Sequence, residues 1–279
     1  MNSADPARIL VFDSGLGGLT VLAQVARARP EAEIVYAADD AFFPYGALSE
    51  AALVERVGEV MGRLIDRFAP DLVVVACNTA STLVLAPLRA AHSGIAFVGT
   101  VPAIKPAAAA SRSRLVSVLA TPGTVARDYT RALIRDFAGG CEVTLVGSSR
   151  LAGIAERRLR GEDIDEAEIS AEMAPCFVAR GDRRTDQIVL ACTHFPLLTD
   201  LLVALAPWPV QFVDPAPAIA RRVDALLGVP SGTRREGPPF PVLFTSGRTP
   251  TPALRKALLG FGLSATSTWE TPFLVPGRG

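Results

Sequence analysis

Two cysteines stand in matching contexts. Cys77 lies in VVVACNTAST (73–82) and Cys192 in IVLACTHFPL (188–197). Each ends an apolar, strand-like run with Ala-Cys and is followed by hydroxyl or amide side chains. A cysteine between a strand end and a helix start meets free backbone N–H groups and a helix dipole, which favour the thiolate. That form can act as a base or a nucleophile. For one such cysteine alone, a small buried hydrophobe is the better reading. Two of them, at corresponding places in echoed segments, favour chemistry. Inverting a stereocentre by proton exchange needs one acid/base group on each side of the substrate, and two tuned thiols meet that need. Cys141 and Cys176 lack this context and read as structural.

Other polar groups fall beside these cysteines or at similar strand ends. Asp13, with Ser14, follows an apolar run and could hold an ammonium group or pair with the first thiol; it could also simply cap the next helix. His194 is two residues beyond Cys192 and could assist that side, or be a satisfied buried histidine. Glu156 is a third tuning candidate, although a glutamate on a helix is usually surface charge. Asn78, Thr79 and Thr193 flank the cysteines, and Thr121 and Thr124 follow another strand end. Pro44, Tyr45 and Gly46 form a turn-like segment whose phenol and backbone N–H could hold a carboxylate, although in isolation an ordinary Pro-Tyr-Gly turn is the better reading. The run Gly15-Leu16-Gly17-Gly18 has part of a dinucleotide fingerprint, with Asp39 and Asp40 at a ribose-contact distance, but Thr20 occupies the third glycine position. A tight turn allowing backbone approach to a small anion is the simpler reading.

The surrounding pattern must position these groups. Strand-like runs at Arg8–Phe12, Glu33–Ala38, Leu72–Ala76 and Ile95–Val98 alternate with helical spacing. The cycle restarts at Arg114–Ala120, with a helix over Thr124–Phe137, a strand at Glu142–Val146, helices over Arg150–Leu159 and Ile164–Val178, and a strand at Gln187–Ala191. Such alternation predicts an α/β protein with parallel sheets. RILVFDSGLGGL (8–19) echoes RLVSVLATPGTV (114–125) as the two cysteine segments echo each other, so two pseudosymmetric α/β lobes are expected with a cleft between them. The first lobe would comprise 1–99 with 213–279 and the second 100–212, the chain crossing at the Pro-rich Val101–Pro106 and returning near Val213–Pro215. Ligands of open α/β sheets bind beyond the carboxyl ends of the strands, where the polar groups above would meet.

Bulk properties exclude several other classes. The 279 residues carry 28 basic and 28 acidic side chains, with 49% hydrophobic and 20% charged residues. This is a globular composition that advertises neither nucleic acid nor an anionic membrane. The most apolar stretch, Leu72–Leu88, is interrupted by Asn78, Thr79, Ser81 and Thr82, and the N-terminus lacks the features of a signal peptide, so a cytoplasmic location is expected. Four irregularly spaced cysteines and two histidines give no disulfide framework and no metal site.

Taken together, FDSGLGGLTVL (12–22), FPYG (43–46), ACNTAS (76–81), ATPGTV (120–125), ACTHFPLL (191–198) and VDPA (213–216) resemble the glutamate racemases of bacterial cell-wall synthesis. FTSG (244–247) is a weaker echo, and YTRALIRDF with RGED (160–163) resembles the Gram-negative branch. The resemblance implies cofactor-independent interconversion of L- and D-glutamate, with Cys77 and Cys192 as the two acid/bases and Asp13, His194 and Glu156 assisting. It implies substrate contacts from Asp13, Ser14, Pro44, Tyr45, Gly46, Asn78, Thr79, Thr121, Thr124, Thr193 and His194. It also implies D-glutamate supply to peptidoglycan, a homodimer in some members, and activation by UDP-N-acetylmuramoyl-L-alanine. Phe42, Gly147-Ser148-Ser149 and Pro215 depart from common family residues. An aspartate or related racemase of the same fold, or a non-catalytic amino-acid-binding protein, is the alternative; a binder has no need of two opposed thiols.

Overall fold

A computed structural model describes residues 6–230, 237 and 239–264; the ends of the expected first lobe, 1–5 and 265–279, lie outside the described residues. The first half runs β1 (Arg8–Asp13), α1 (Leu19–Ala28), β2 (Glu33–Ala38), α2 (Glu50–Phe68), β3 (Leu72–Val75), α3 (Asn78–Ala91) and β4 (Ala96–Gly99). There follow α4 (Ile104–Ala110), β5 (Leu115–Ala120), α5 (Pro122–Ala126), α6 (Asp128–Phe137), β6 (Glu142–Gly147), α7 (Leu151–Leu159) and α8 (Glu166–Met173). The chain continues through β7 (Ala179–Arg180), β8 (Arg183–Arg184), β9 (Gln187–Ala191), α9 (Thr199–Ala204), β10 (Gln211–Val213), α10 (Ala216–Leu227), β11 (Phe240–Phe244), α11 (Pro252–Gly260) and β12 (Leu263–Ser264).

Two parallel sheets define two lobes. The first has the order β12-β11-β2-β1-β3-β4 and the second β10-β9-β5-β6. Both are covered on both faces, which is why their strands are apolar throughout rather than alternating with polar residues. In β1, Ile9 and Val11 enter the core on one face of the sheet, while Leu10 and Phe12 enter the core on the other. The second sheet is likewise lined by one cluster around Leu119, Ile188 and Leu190 and another around Val118, Val189 and Ala191.

Local signals set the element ends. Ser49 caps α2 by accepting the Ala52 N–H, and Ala69 ends it in the left-handed conformation before Pro70. Four expectations need correction. The helix expected over Thr124–Phe137 is two helices, because Pro122 and the Thr121 cap start α5 early and Arg127 is extended between α5 and α6. The Val101–Pro106 crossing is shorter: α4 begins at Ile104 and holds Pro106 in its first turn, where no N–H donor is required. The helix expected over Ile164–Val178 stops at Met173 and gives way to a 3-10 turn at Ala174–Cys176 with Pro175 near its start. A short antiparallel β7–β8 hairpin, turning through Gly181 at φ 62°, fills the stretch before β9 for which no element was expected.

Candidate active site between the lobes

Parallel register brings the polar segments to common edges. Phe12 pairs with Val75, so Asp13 and Cys77 emerge side by side from the first sheet. Ala120 pairs with Ala191, so Thr121 and Cys192 emerge together from the second. The two edges face each other: Thr79 Oγ1 and Thr121 Oγ1 are 3.3 Å apart across the cleft, and Thr121 Oγ1 is 3.0 Å from Thr124 Oγ1. Cys77 and Cys192 are both buried, at 5% and 6% exposure.

The two thiols sit in unlike surroundings. Cys77 is the N-cap of α3, as expected, and its thiol points to Ser14 Oγ at 3.8 Å. The helix start does not win, however. Burial pushes the Cys77 thiol far up, the charges of Asp13 and Cys192 add to the rise, and the Ala80 amide and Ser14 oppose it. Cys192 is not at a helix start: a 3-10 turn (Phe195–Leu198) follows it and α9 begins only at Thr199. Its positive neighbour is a side chain instead. His194 Nδ1 lies 4.0 Å from the Cys192 sulfur.

His194 belongs to a chain of groups that crosses the cleft. Its Nε2 is 3.0 Å from Glu156 Oε1, which also accepts the Leu16 N–H at 2.6 Å. Glu156 Oε2 accepts from Arg160 at 2.6 Å. Burial alone would lower the His194 pKa, but hydrogen bonds to Cys192 and Glu156 and the charge of Asp13 raise it well above its ordinary value. A protonated ring would donate Nε2–H to Glu156 and direct Nδ1–H at Cys192. The Gly17 N–H, 3.2 Å from Nε2, could donate to it only in a neutral ring. Glu156 is 1% exposed, so its reading as surface charge is overturned. Burial would raise its pKa, yet His194, the Leu16 amide and Arg160 together hold it below the usual carboxylate range.

The glycine-rich turn gains its reason here. A side chain at Gly15 would overlap the Glu156 carboxylate, and one at Gly17 would lie 2.7 Å from the His194 backbone nitrogen. The small anion that this turn approaches is thus the protein's own Glu156, presented by the other lobe. Asp39 and Asp40, the ribose candidates, are also committed elsewhere. Asp39 is fully buried and accepts from Tyr45 Oη at 2.7 Å, from Arg56 Nε at 2.9 Å and from Thr245 Oγ1, while Asp40 accepts the Ser246 N–H at 2.9 Å. The expectation that the Tyr45 phenol faces a ligand is therefore corrected: it is buried and turned to Asp39. Pro44 and Gly46 are exposed at the rim, next to Thr121.

Asp13 uses one carboxylate oxygen within the first lobe and leaves the other free. Its Oδ2 accepts the Gly18 N–H at 2.9 Å, at the start of α1. Its Oδ1 is buried with no hydrogen-bond partner among the described residues, as are Nδ2 and Oδ1 of Asn78. Burial raises the Asp13 pKa, partly opposed by His194 and the Gly18 amide. Ser14, Thr193 and Thr124 are buried close by. Cys176 is buried away from the cleft in the second-lobe core, its thiol pushed up to about 12. Arg160, Thr245 and Arg56 are contributors that sequence reasoning missed. RGED and FTSG drew attention to Arg160 and Thr245, and the i,i+4 spacing from Glu156 was the signal available for Arg160, but nothing local in the sequence pairs residue 245 or 56 with 39.

The comparisons agree with this arrangement. The family model for Asp/Glu/hydantoin racemases matches residues 13–223. The glutamate racemase of Sinorhizobium fredii is 53% identical over 267 residues, covering 96% of this chain and all of that one, and that of Brucella ovis is 54% identical over 255 residues, covering 91% and 92%. Among solved structures, Escherichia coli glutamate racemase in complex with L-glutamate and the activator UDP-MurNAc-Ala superposes with a TM-score of 0.84 at 37% identity, covering 93% of this chain and 97% of that one. A glutamate racemase isoform from Bacillus anthracis gives a TM-score of 0.75 at 26% identity, over 92% and 96%. Motifs, two-lobed fold and relatives agree: the chain belongs to the Asp/Glu/hydantoin racemase family, on its glutamate racemase branch.

Proposed function

We propose that this isomerase inverts glutamate by proton exchange between two thiols, without a cofactor. The observation that carries the reading is the pair Cys77 and Cys192, buried on opposing sheet edges with unlike neighbours. In the resting site Cys77 is held as a thiol by burial, while His194 Nδ1 stands 4.0 Å from the Cys192 sulfur, placed to exchange a proton with it or to support its charge during the reaction. Cys192 then removes the α-proton from one face, and Cys77 delivers its own proton to the other. In the reverse direction Cys77 must ionise. The substrate ammonium, drawn to the unpartnered Oδ1 of Asp13, supplies a positive charge beside that thiol and lowers the cost. The Asn78 amide, with both polar atoms unpartnered among the described residues, suits a substrate carboxylate, and the hydroxyls of Thr79, Thr121 and Thr193 complete a polar lining.

The product would feed peptidoglycan precursors. By extension from the Escherichia coli relative, whose structure holds UDP-MurNAc-Ala as an activator, the same nucleotide would raise activity here; titrating it against the basal rate tests that extension. The central test is L-glutamate in D₂O with purified protein and no added cofactor. Loss of the α-hydrogen signal together with appearance of D-glutamate is expected. Cys77→Ser and Cys192→Ser should each reduce racemisation by about a thousandfold or more, as losing a general acid/base does. Full activity in either variant would remove the two-thiol scheme.

A further inference from the structure

We propose that Arg160 is a positioning residue for the Cys192 side: its guanidinium fixes Glu156 as an oriented carboxylate, and Glu156 in turn aims His194 at the thiol. The proposal rests on the two-thiol reading and deepens it. The geometry is a single line of contacts. Arg160 Nη2 is 2.6 Å from Glu156 Oε2, Glu156 Oε1 is 3.0 Å from His194 Nε2, and His194 Nδ1 is 4.0 Å from the Cys192 sulfur. Each oxygen of Glu156 has its own duty. Oε1 serves Leu16 and His194, and Oε2 serves Arg160. Without Arg160, the second oxygen of a carboxylate that is 1% exposed has no donor, and its cheapest remedy is to take a proton.

The neighbouring charges favour that remedy. Asp13 on β1 and Asp40 after β2 both interact with Glu156 as like charges, and Tyr36 on β2 also senses it. On α7 itself, Arg157 pairs with Glu162 and Arg158 with Asp200. Arg255 and Lys256, on the α11 helix packed against α7, are exposed. Among the described residues, Arg160 and His194 are the cations bonded to Glu156. Arg160 is also one helical turn from Glu156 and over one-third exposed, so its replacement need not disturb the core.

A protonated Glu156 no longer presents a full carboxylate charge to His194 Nε2, so the ring is less firmly aimed at the Cys192 sulfur. Arg160 is therefore expected to set the acid limb of the pH–rate profile. The test compares kcat/KM for racemisation across pH in the full chain and in Arg160→Gln and Arg160→Lys. In Arg160→Gln the acid limb should move up by about one pH unit, the size of shift one neighbouring guanidinium causes. On the falling part of both profiles that corresponds to a loss approaching tenfold, with a much smaller loss on the plateau. Arg160→Lys should return the limb to its original position. An unmoved limb in Arg160→Gln, including a loss of rate uniform at all pH, would overturn the proposal, and so would a Lys variant that behaves like Gln. Cys192→Ser run alongside separates the two ideas: if it racemises normally, the two-thiol reading fails whatever Arg160 does.

Discussion

The Cys192 side is organised around groups that occupy each other's space, so single atoms matter. Gly17→Ala would drive a methyl group into His194 and displace the ring that faces Cys192. A misplacement of this order costs about a hundredfold in rate, and kcat for Gly17→Ala should fall by roughly that factor. Tyr45→Phe makes the opposite case. The phenol bonds Asp39, not the cleft, so KM for glutamate should hold within about twofold while stability drops by ~1–2 kcal/mol from the weakened buried carboxylate; a large rise in KM would return the phenol to the substrate. The Glu156–His194 pair also ties stability to pH. Glu156 is depressed, so its contribution is present above its ordinary value of 4.5 and is lost as pH falls through the lower folded value. His194 is raised, so its contribution is full below 6.5 and is lost as pH rises through the higher folded value. Thermal unfolding followed across pH should show both losses in the native protein, and His194→Asn should remove the alkaline one.

At the scale of elements, the loop carrying Pro44, Tyr45 and Gly46 is held from behind by three separate pieces of chain. Asp39 follows β2, Arg56 comes from α2 and Thr245 follows β11, and they meet in one buried cluster. Phe42 lies against the same guanidinium, 4.2 Å from its ring centroid, giving that unusual residue a packing role. Removing one partner of a buried ion pair leaves an uncompensated charge and costs about 3–5 kcal/mol. Arg56→Met should therefore lower the unfolding free energy by about that much, measured by urea denaturation, and a loss below about 1 kcal/mol would show that Asp39 finds other donors. Periodicity revealed the strands and long helices because both faces of each sheet demand apolar runs. The break at Arg127, the early start of α4 and the β7–β8 hairpin were not legible, since turn chemistry over one or two residues decided them.

At the scale of the molecule, the lobes touch on both sides of the cleft. On one side Glu156 and His194 enter the glycine turn of β1–α1. On the other, Arg127, between α5 and α6, pairs with Glu50 at the start of α2, near the contact of Thr79 with Thr121. Glu50 is two-thirds exposed, so this pair is worth about 0.5–1 kcal/mol at most and is screened by salt. Arg127→Ala should raise KM by roughly twofold to fivefold with kcat nearly unchanged, and salt should affect the variant less than the native chain. A KM indifferent to both changes would mean that the pair takes no part in closing the lobes.

The sequence by itself determined the alternation of strands and helices, the internal echo, the two thiols and the polar groups at strand ends, because these depend on spacing along the chain and on residue chemistry. Tertiary structure alone decided which groups partner which. Glu156 bonds across to Leu16, Asp39 gathers Tyr45, Arg56 and Thr245, and the two cysteines acquire opposite electrostatic surroundings despite near-identical local sequence. The reason is physical: burial and charge pairing depend on what arrives from the other lobe or from a strand some two hundred residues away, and no local pattern encodes that distance.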